Sequence, residues 1–318
     1  MLGPMASGDV CIHVIGMHRS GTSATTGLLG RLGLGMPVED DLIPASADNE
    51  LGHFESRSLV QMNNRLFRHF GGLLFSPPAL LDGWQDDAAL EAWRPEAARR
   101  FRASFGPDVG TRPIAWKDPR SCITLPFWRT VIDPPTAAVF VFRDPVAVAT
   151  SLRARSGLPL VHGLAAWERY VRAAAHNLVG LPTIAVDFDQ MVGDPTAWCG
   201  ALADFLGQQG VVIEPKRRRG AEEFVQRDLR HHVAASAPPP GPAAGAWLVL
   251  EALRERQGYH PSWKAPEIGP EPEWVNEILD LARQLETLHI AHASLLRSRG
   301  VRLVTGLWRT RAALTRPR

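Results

Sequence analysis

The sequence predicts an α/β protein built on a central parallel sheet. Four apolar runs bounded by turn residues are each long enough for a strand, and they lie at 10–15, 113–116, 137–142 and 182–186. Segments with helical patterns separate them, and strands that alternate with helices are typical of a parallel sheet covered by helices. With 318 residues, 45% of them hydrophobic, the chain is long enough to bury a full core.

The first apolar run leads into an eight-residue segment, GMHRSGTS at 16–23, which a helical stretch from Thr25 to Leu34 follows. A strand, a glycine-bounded loop and a helix N-terminus together form a common phosphate-binding arrangement. The loop has the length of a P-loop, but Thr22 stands where a P-loop NTPase has its lysine, and the nearby cation is Arg19. A nucleotide kinase needs that lysine on the β- and γ-phosphates. We therefore expect the loop to hold a different anion.

Polar residues follow every predicted strand. Arg19 comes after the first, Lys117 and Asp118 after the second, Arg143 after the third and Asp187 after the fourth. Ligands of open α/β sheets bind at the carboxyl ends of the strands. We therefore expect the functional site at this edge of the sheet.

The third predicted strand leads into a second candidate anion site. It ends in Arg143 and Asp144, and the helix that begins near Pro145 carries Ser151. A guanidinium at a strand end and a hydroxyl two turns into the next helix can converge on one dianion.

The segments GMHRSGTS at 16–23 and VFVFRDPVAVATSLRAR at 139–155 together resemble two motifs of the PAPS-dependent sulfotransferases. PAPS is 3′-phosphoadenosine 5′-phosphosulfate, and the motifs are the 5′-phosphosulfate loop and the 3′-phosphate motif. Further segments are similar to the bacterial branch of this family, namely NELGHFE at 49–55, WKDPR at 116–120, LPFW at 125–128 and VDFD at 186–189. The resemblance covers about residues 10 to 258 and implies a P-loop NTPase-like three-layer fold.

The resemblance implies which residues bind PAPS as co-substrate, without a metal. They are His18, Arg19, Ser20, Gly21, Thr22, Ser23, Arg143 and Ser151. No GxxGxWK segment occurs near the end of the chain, and the basic run KRRRG at 216–220 is the candidate for some of its phosphate contacts. Arg19 is predicted to be catalytic, because its guanidinium, the loop amides and the helix dipole would stabilise charge on the leaving phosphate.

Glu55 is the predicted general base. The resemblance implies this role, because the family has an acid at the position that Glu55 occupies at the end of NELGHFE, close to the transferred group. An ordinary carboxylate at the start of a helix over 56–69 is the alternative for Glu55. His53, His18 and Asp118 compete as the base. His53, Lys117 and Asp118 are candidates for contact with the acceptor substrate, and a salt bridge to an acid is the alternative for Lys117.

The predicted function is transfer of a sulfuryl group from PAPS to a hydroxyl of a small-molecule or glycan acceptor, with a saccharide or glycoconjugate preferred. A P-loop kinase with Asp144 on Mg²⁺ is the enzymatic alternative, and a catalytically inactive nucleotide- or sugar-binding scaffold is the other. No nucleic-acid partner is expected. Pairs of histidines at 231–232 and at 289 and 292 have no further ligands at suitable spacing, so a metal site is not predicted.

The predicted organisation is a sulfotransferase domain over 1–258 and a C-terminal helical extension over 259–318. The extension contains apolar residues at heptad spacing, which fit either packing on the domain or a coiled-coil dimer: Trp274, Ile278, Leu281, Leu285, Leu288, His292 and Leu295. Residues 297–318 hold seven arginines and no acid. This basic tail either contacts an anionic membrane surface or is a solvated terminus.

Cysteine usage and hydropathy indicate a cytoplasmic protein. The three cysteines, at 11, 122 and 199, form no CxxC pair, so neither a disulfide framework nor a zinc site is predicted. No run of eighteen apolar residues occurs, and the first nine residues do not have the pattern of a signal peptide.

Overall fold

The structure, a computed structural model, describes residues 10–46, 52–228 and 241–297. Its centre is a sheet of five strands in the order β2-β1-β3-β4-β5. The strands are β1 Cys11–Ile15, β2 Ile114–Lys117, β3 Thr136–Phe142, β4 Thr183–Asp187 and β5 Gly258–His260. The first four are parallel, and β5 pairs antiparallel with β4. The four predicted strands and the α/β class are thereby confirmed.

Helices cover both faces of the sheet, as expected for a three-layer fold. They are α1 Thr22–Leu32, α2 Arg57–His69, α3 Ala88–Glu91, α4 Arg94–Phe105, α5 Ser121–Arg129, α6 Pro145–Ser156, α7 Leu160–Asn177, α8 Phe188–Gly193, α9 Pro195–Gln208, α10 Pro215–Asp228, α11 Pro242–Arg254 and α12 Glu273–Arg297.

The strands read as continuous apolar runs because both of their faces are buried. On β3, Phe140 and Phe142 point into the core beneath α6, α7 and α11, whereas Val139 and Val141 point into the core beneath α1 and α9. Two packed layers therefore fix the sheet, and the loops at the carboxyl ends of its parallel strands are left to form a site.

Strand β5 and the segment after it extend the sheet beyond the part that the sequence predicted. The expected domain boundary after residue 258 falls inside this strand. Trp263, Val275 and Leu279 are almost completely buried, and they belong to the same core as α7. The sequence lacks a strand signal here because β5 has three residues at the sheet edge, of which Gly258 and Tyr259 are exposed.

The heptad face of α12 packs on the domain only at its start. Trp274 and Ile278 are partly buried against the core, but Leu281, Leu285 and Leu288 are 63%, 52% and 64% exposed. Of the two alternatives for the heptad face, packing on the domain holds only for its first two members, and Val275 and Leu279 form the buried docking face of the helix. Each residue of an α-helix is rotated by about 100° from the one before it. Leu281, two positions after Leu279, therefore lies nearly opposite it on the helix.

The remaining expectations concern cysteines, metals and membranes. Cys11, Cys122 and Cys199 are buried free thiols, and burial raises the pKa of the first two. Among the described residues, no group of three or more His, Cys, Asp or Glu side chains is placed to hold a metal ion. In the same part of the chain, no helix combines the length and the apolar character needed to cross a membrane. The pair 231–232 and the tail after residue 297 lie outside the described residues.

Candidate functional site

The loop between β1 and α1 is tightly packed, and two of its glycines lie where a side chain would clash with neighbouring atoms. A Cβ on Gly16 would lie 2.2 Å from the carbonyl oxygen of Val141 on β3. A Cβ on Gly21 would lie 2.0 Å from the ring of Phe188, and Gly21 has a φ of +90°. Arg19 also adopts a positive φ, of 68°. The loop backbone is therefore held in one unusual conformation against β3 and α8.

The N-terminus of α1 lies directly behind this loop. Its N-cap is Gly21, which has no side chain to cap the helix, and the first turn contains no acid. Ser20 is fully buried, and its hydroxyl has no hydrogen-bond partner. Thr22 and Ser23 form the first turn. The N–H groups of a helix's first turn have no acceptor within the helix. Together with the positive end of the helix dipole and the unused Ser20 hydroxyl, they suit an anion.

A hydrogen bond joins the two segments that resemble phosphate-binding motifs. Arg19 Nε donates to Ser151 Oγ on α6 across 2.9 Å, although the two residues are 132 positions apart. Arg143, at the end of β3, donates from Nη1 to the backbone oxygen of Arg19 across 3.2 Å. The structure thus brings Arg19, Arg143 and Ser151 to one place at the carboxyl edge of the sheet.

The guanidinium of Arg143 is buried without full compensation. Only 4% of Arg143 is exposed, and its Nε has no hydrogen-bond partner. The nearest acid, Asp189, is 3.9 Å away, and the guanidinium stacks 4.6 Å from the ring centre of Phe188. Burial lowers the pKa of Arg143, and it raises the pKa of Asp189. A buried donor left without a partner is uncommon in native proteins, so this guanidinium fits an anionic ligand.

The neighbouring acid, Asp144, has a structural contact. Its Oδ1 accepts hydrogen bonds from the backbone N–H groups of Val146 and Ala147, at 2.7 and 2.8 Å. Asp144 is therefore the N-cap of α6. This cap fixes the helix that presents Ser151.

Glu55 forms a buried ion pair with Lys117 at the end of β2. The Lys117 Nζ lies 2.6 Å from Glu55 Oε1, and the two side chains are 3% and 10% exposed. Arg120 Nη1 lies 3.8 Å from the other carboxylate oxygen, Oε2. The helix that follows is capped by Ser56, whose hydroxyl accepts from the N–H of Leu59. The carboxylate of Glu55 thus faces the strand ends, and a different side chain caps α2.

Both carboxylate oxygens of Asp118 are bound by protein groups. Oδ1 accepts from the backbone N and from Nη1 of Arg120, at 2.9 and 2.8 Å, and Oδ2 accepts from Asn63 Nδ2 at 2.7 Å. Arg120 Nε in turn donates to Asn64 Oδ1. Asp118 therefore fixes Arg120 beside Glu55. Sequence reasoning missed both asparagines, which lie inside a helix pattern that carries no chemical signal.

A second network holds the chain segment that carries Glu55. Asp41 Oδ2 accepts hydrogen bonds from the hydroxyls of Ser56, Ser58 and Ser104, and Oδ1 accepts from the Ser58 N–H. Burial acts to raise the pKa of Asp41, but these hydrogen bonds outweigh it, and the pKa is lowered. Since Ser56 is the next residue, this network restricts where Glu55 can point.

His18 lies among the cations of the site. Its ring packs edge-on against Phe75 and Tyr170, each with centroids 5.8 Å apart, and its Nε2 is buried without a partner. Burial lowers the pKa of His18 well below its usual value, and nearby positive charges lower it further; they belong to Arg120, Lys117, Arg155 and Arg19. The imidazole is therefore neutral at physiological pH. Several cations crowded around a neutral ring create a positive potential that suits an anion.

Two other candidates have contacts of their own. His53 Nε2 lies 2.9 Å from Ser46 Oγ. In the basic run at 216–220, Arg217 packs at Gly33, the C-cap of α1. The loop at 16–23 lies at the other end of α1, so Arg217 does not contact that loop.

A cavity of about 770 Å³ lies between α5, α7 and the segments 78–85 and 265–271. Arg129 at the end of α5 and Asn177 at the end of α7 contribute to its wall. These helix ends lead towards the starts of β3 and β4. The cavity is therefore separate from the loop cluster at the carboxyl edge.

No protein-family model matches this chain, and no curated protein matches it. Among solved structures, it is similar to the sulfotransferase domain from the Synechococcus PCC 7002 olefin synthase. The TM-score is 0.39 at 15% sequence identity, with 88% of this chain and 97% of that chain covered.

Proposed function

We propose that this protein is a sulfotransferase that moves a sulfuryl group from PAPS to a hydroxyl group of an acceptor. The observation that carries the proposal is the 2.9 Å hydrogen bond from Arg19 Nε to Ser151 Oγ. It joins the loop that resembles a 5′-phosphosulfate loop to the helix that resembles a 3′-phosphate motif. A donor nucleotide with an anionic group at each end needs two such segments in one place.

The donor groups of the site fit this nucleotide. At the loop, the Ser20 hydroxyl has no partner, and the α1 N-terminus lies behind it. At the second motif, Arg143 Nε has no partner. We assign the 5′-phosphosulfate to the loop residues 18–23 and the 3′-phosphate to Arg143 and Ser151. Both assignments use charge-assisted hydrogen bonds, which are the stronger kind.

PAPS supplies an SO₃ group attached to a phosphate oxygen. During transfer the acceptor oxygen forms a bond to sulfur, the bond from sulfur to the phosphate oxygen breaks, and its electron pair stays on the phosphate. Arg19 and the α1 dipole stabilise this charge without a metal. The acceptor hydroxyl meanwhile loses its proton to a base.

Glu55 is the base in this proposal, and Lys117 positions it. Lys117 holds Oε1 at 2.6 Å, which leaves Oε2 as the oxygen that accepts the proton. Arg120 lies 3.8 Å from Oε2 and orients it. The neutral His18 has a buried Nε2 without a partner, so it is available for a hydrogen bond to a substrate group other than the reacting hydroxyl. The acceptor class we propose, a saccharide or glycoconjugate, follows from the resemblance to the bacterial branch.

The test is transfer of radiolabelled sulfate from PAPS to a panel of oligosaccharides in the presence of EDTA. The wild type should label at least one acceptor. Glu55→Gln should lower kcat by about 100-fold or more, the range of general-base catalysis, with unchanged affinity for PAP, the desulfated product. Glu91→Gln is the matched control, because the Glu91 side chain is 75% exposed on α3.

Two results would contradict the proposal. Tight PAP binding without transfer to any acceptor would favour a binding scaffold. Binding of ATP with Mg²⁺ in preference to PAP would favour a kinase.

A further inference from the structure

We propose that the second half of α12 is a self-association surface, on which α12 of a second copy of this chain packs in antiparallel orientation. The surface is defined by Leu281, Leu285, Leu288, His292 and Leu295, and we call it the leucine stripe. This inference is independent of the proposed function.

The leucine stripe is an apolar helix face that the described residues leave largely exposed. Leu281, Leu285, Leu288 and Leu295 are 63%, 52%, 64% and 61% exposed. With His292 included, these residues are spaced alternately by four and three positions. This is the spacing of the a and d positions of successive heptads. The domain contacts α12 mainly through Val275 and Leu279, on another face of the same helix, and through Trp274 and Ile278 at its start, before the stripe begins.

The exposed area is large enough for a helix pair. A leucine that is 60% exposed presents on the order of 100 Å², so the stripe and the adjacent Leu296 on two chains would remove roughly 1,000 Å² from water. This is the lower limit of specific interfaces. On a monomer, an apolar patch of several hundred Å² commonly marks a contact site.

The charges of α12 select antiparallel pairing. Residues 273–288 carry four acids, Glu273, Glu277, Asp280 and Glu286, against the single Arg283. From residue 289 to 297 it contains His289, His292 and Arg297 and no acid. Antiparallel packing puts the acidic part of each helix beside the acid-free end of the other. Parallel packing would put acids beside acids, which is unfavourable.

The same acids argue against an anionic membrane as the partner of the stripe. Glu277 precedes Leu281 by one helical turn, and Asp280 is its neighbour. Negative charge at the edge of the stripe would repel anionic headgroups.

The first experiment measures the mass of the full chain by light scattering at micromolar concentration. We expect twice the chain mass of 34.9 kDa. Leu285→Glu combined with Leu288→Glu should weaken dimerisation by about 100-fold or more, because central apolar contacts dominate such interfaces. Ile290→Glu is the matched control. Ile290 is 59% exposed but lies about 160° from Leu288 on the helix, so this variant should remain dimeric.

The second experiment determines orientation by disulfide cross-linking, since the three native cysteines are buried. A mixture of Leu281→Cys and Leu295→Cys chains should form the mixed cross-link in preference to either self-pair. Preferential pairing of residue 281 with residue 281 would overturn the antiparallel arrangement.

Three other outcomes would overturn the proposal. They are a monomeric wild type, a dimer that persists in the double glutamate variant, and a monomer that binds phosphatidylserine vesicles through the stripe. Truncation after residue 297 separates self-association from coverage by the chain's own tail. The truncated protein should stay dimeric, and a dimer gained only after truncation would show that the tail covers the stripe.

Discussion

Lys117 Nζ and Glu55 Oε1 lie 2.6 Å apart, and neither side chain is more than 10% exposed. The two residues are 62 positions apart, one at the end of β2 and the other before α2. Each charge has been removed from water and depends on the other for compensation. This pair therefore links the stability of the fold to the candidate catalytic carboxylate.

Removing one partner of this pair should cost more than removing both. Lys117→Met removes the cation that is hydrogen-bonded to a buried carboxylate and leaves only Arg120 at 3.8 Å, so we expect a loss of about 3–5 kcal/mol in the free energy of unfolding. Glu55→Gln should also destabilise the protein. The double variant should recover part of the loss, which urea denaturation of all four proteins would measure. Strictly additive losses would mean that the pair does not act as a unit.

His13 should make the protein less stable in acid. It is fully buried on β1, with its ring centre 4.2 Å from that of the tilted Trp116 ring, and neither ring nitrogen has a hydrogen-bond partner. Burial lowers its pKa from 6.5 to about 3, although Asp118 acts in the opposite direction. Between these values the unfolded chain binds a proton that the folded chain does not. The contribution of His13 to stability therefore falls by about 1.4 kcal/mol per pH unit as the pH drops below 6.5.

His13→Phe keeps an aromatic ring and removes this titration. Its free energy of unfolding should vary less than that of the wild type between pH 6.5 and 4, measured by urea denaturation at each pH. His289→Ala is the control, because His289 is exposed on α12, and it should retain the wild-type slope. An unchanged slope in the His13 variant would show that another group causes the acid sensitivity.

Gly21→Ala should disrupt the loop. The new Cβ would meet the Phe188 ring at 2.0 Å, at a residue with φ +90°. We expect a loss of at least about 2 kcal/mol in stability and weaker PAP binding, measured by thermal denaturation and calorimetry. Gly193→Ala is the control, since no atom lies within 4 Å of its added Cβ. Wild-type PAP affinity in Gly21→Ala would contradict a role of the loop backbone in phosphate binding.

The sequence predicts the four parallel strands and the loop because these features have local signals. Buried parallel strands are continuous apolar runs, and a glycine-bounded loop between a strand and a helix has a fixed spacing. Strand β5 has only three residues, and it forms a strand because it pairs with β4, a contact that a local sequence pattern does not reveal. The sequence does not identify the docking face of α12, because Val275 and Leu279 lie outside the heptad series, and the residues of that series from Leu281 onward do not contact the core.

The supporting networks of the site could not be predicted from sequence. Asn63 contacts Asp118, and Asp41 binds three serines from two helical segments, all through contacts between residues distant in the chain. A local pattern contains no information about such contacts. The resemblance named Glu55 as a candidate base, but only the structure shows the carboxylate beside Lys117.

The central claim is that two segments bind opposite ends of one doubly phosphorylated nucleotide. Calorimetric titration with PAP and with 5′-AMP, both in EDTA, tests it most directly, in the wild type, in Arg143→Ala and in the exposed control Arg129→Ala. PAP should bind the wild type about 100-fold more tightly than 5′-AMP, and Arg143→Ala should abolish most of that difference, since a charge-assisted hydrogen bond contributes about 1.5–3 kcal/mol. Equal affinity of the wild type for PAP and 5′-AMP, or an unchanged preference in Arg143→Ala, would contradict the account.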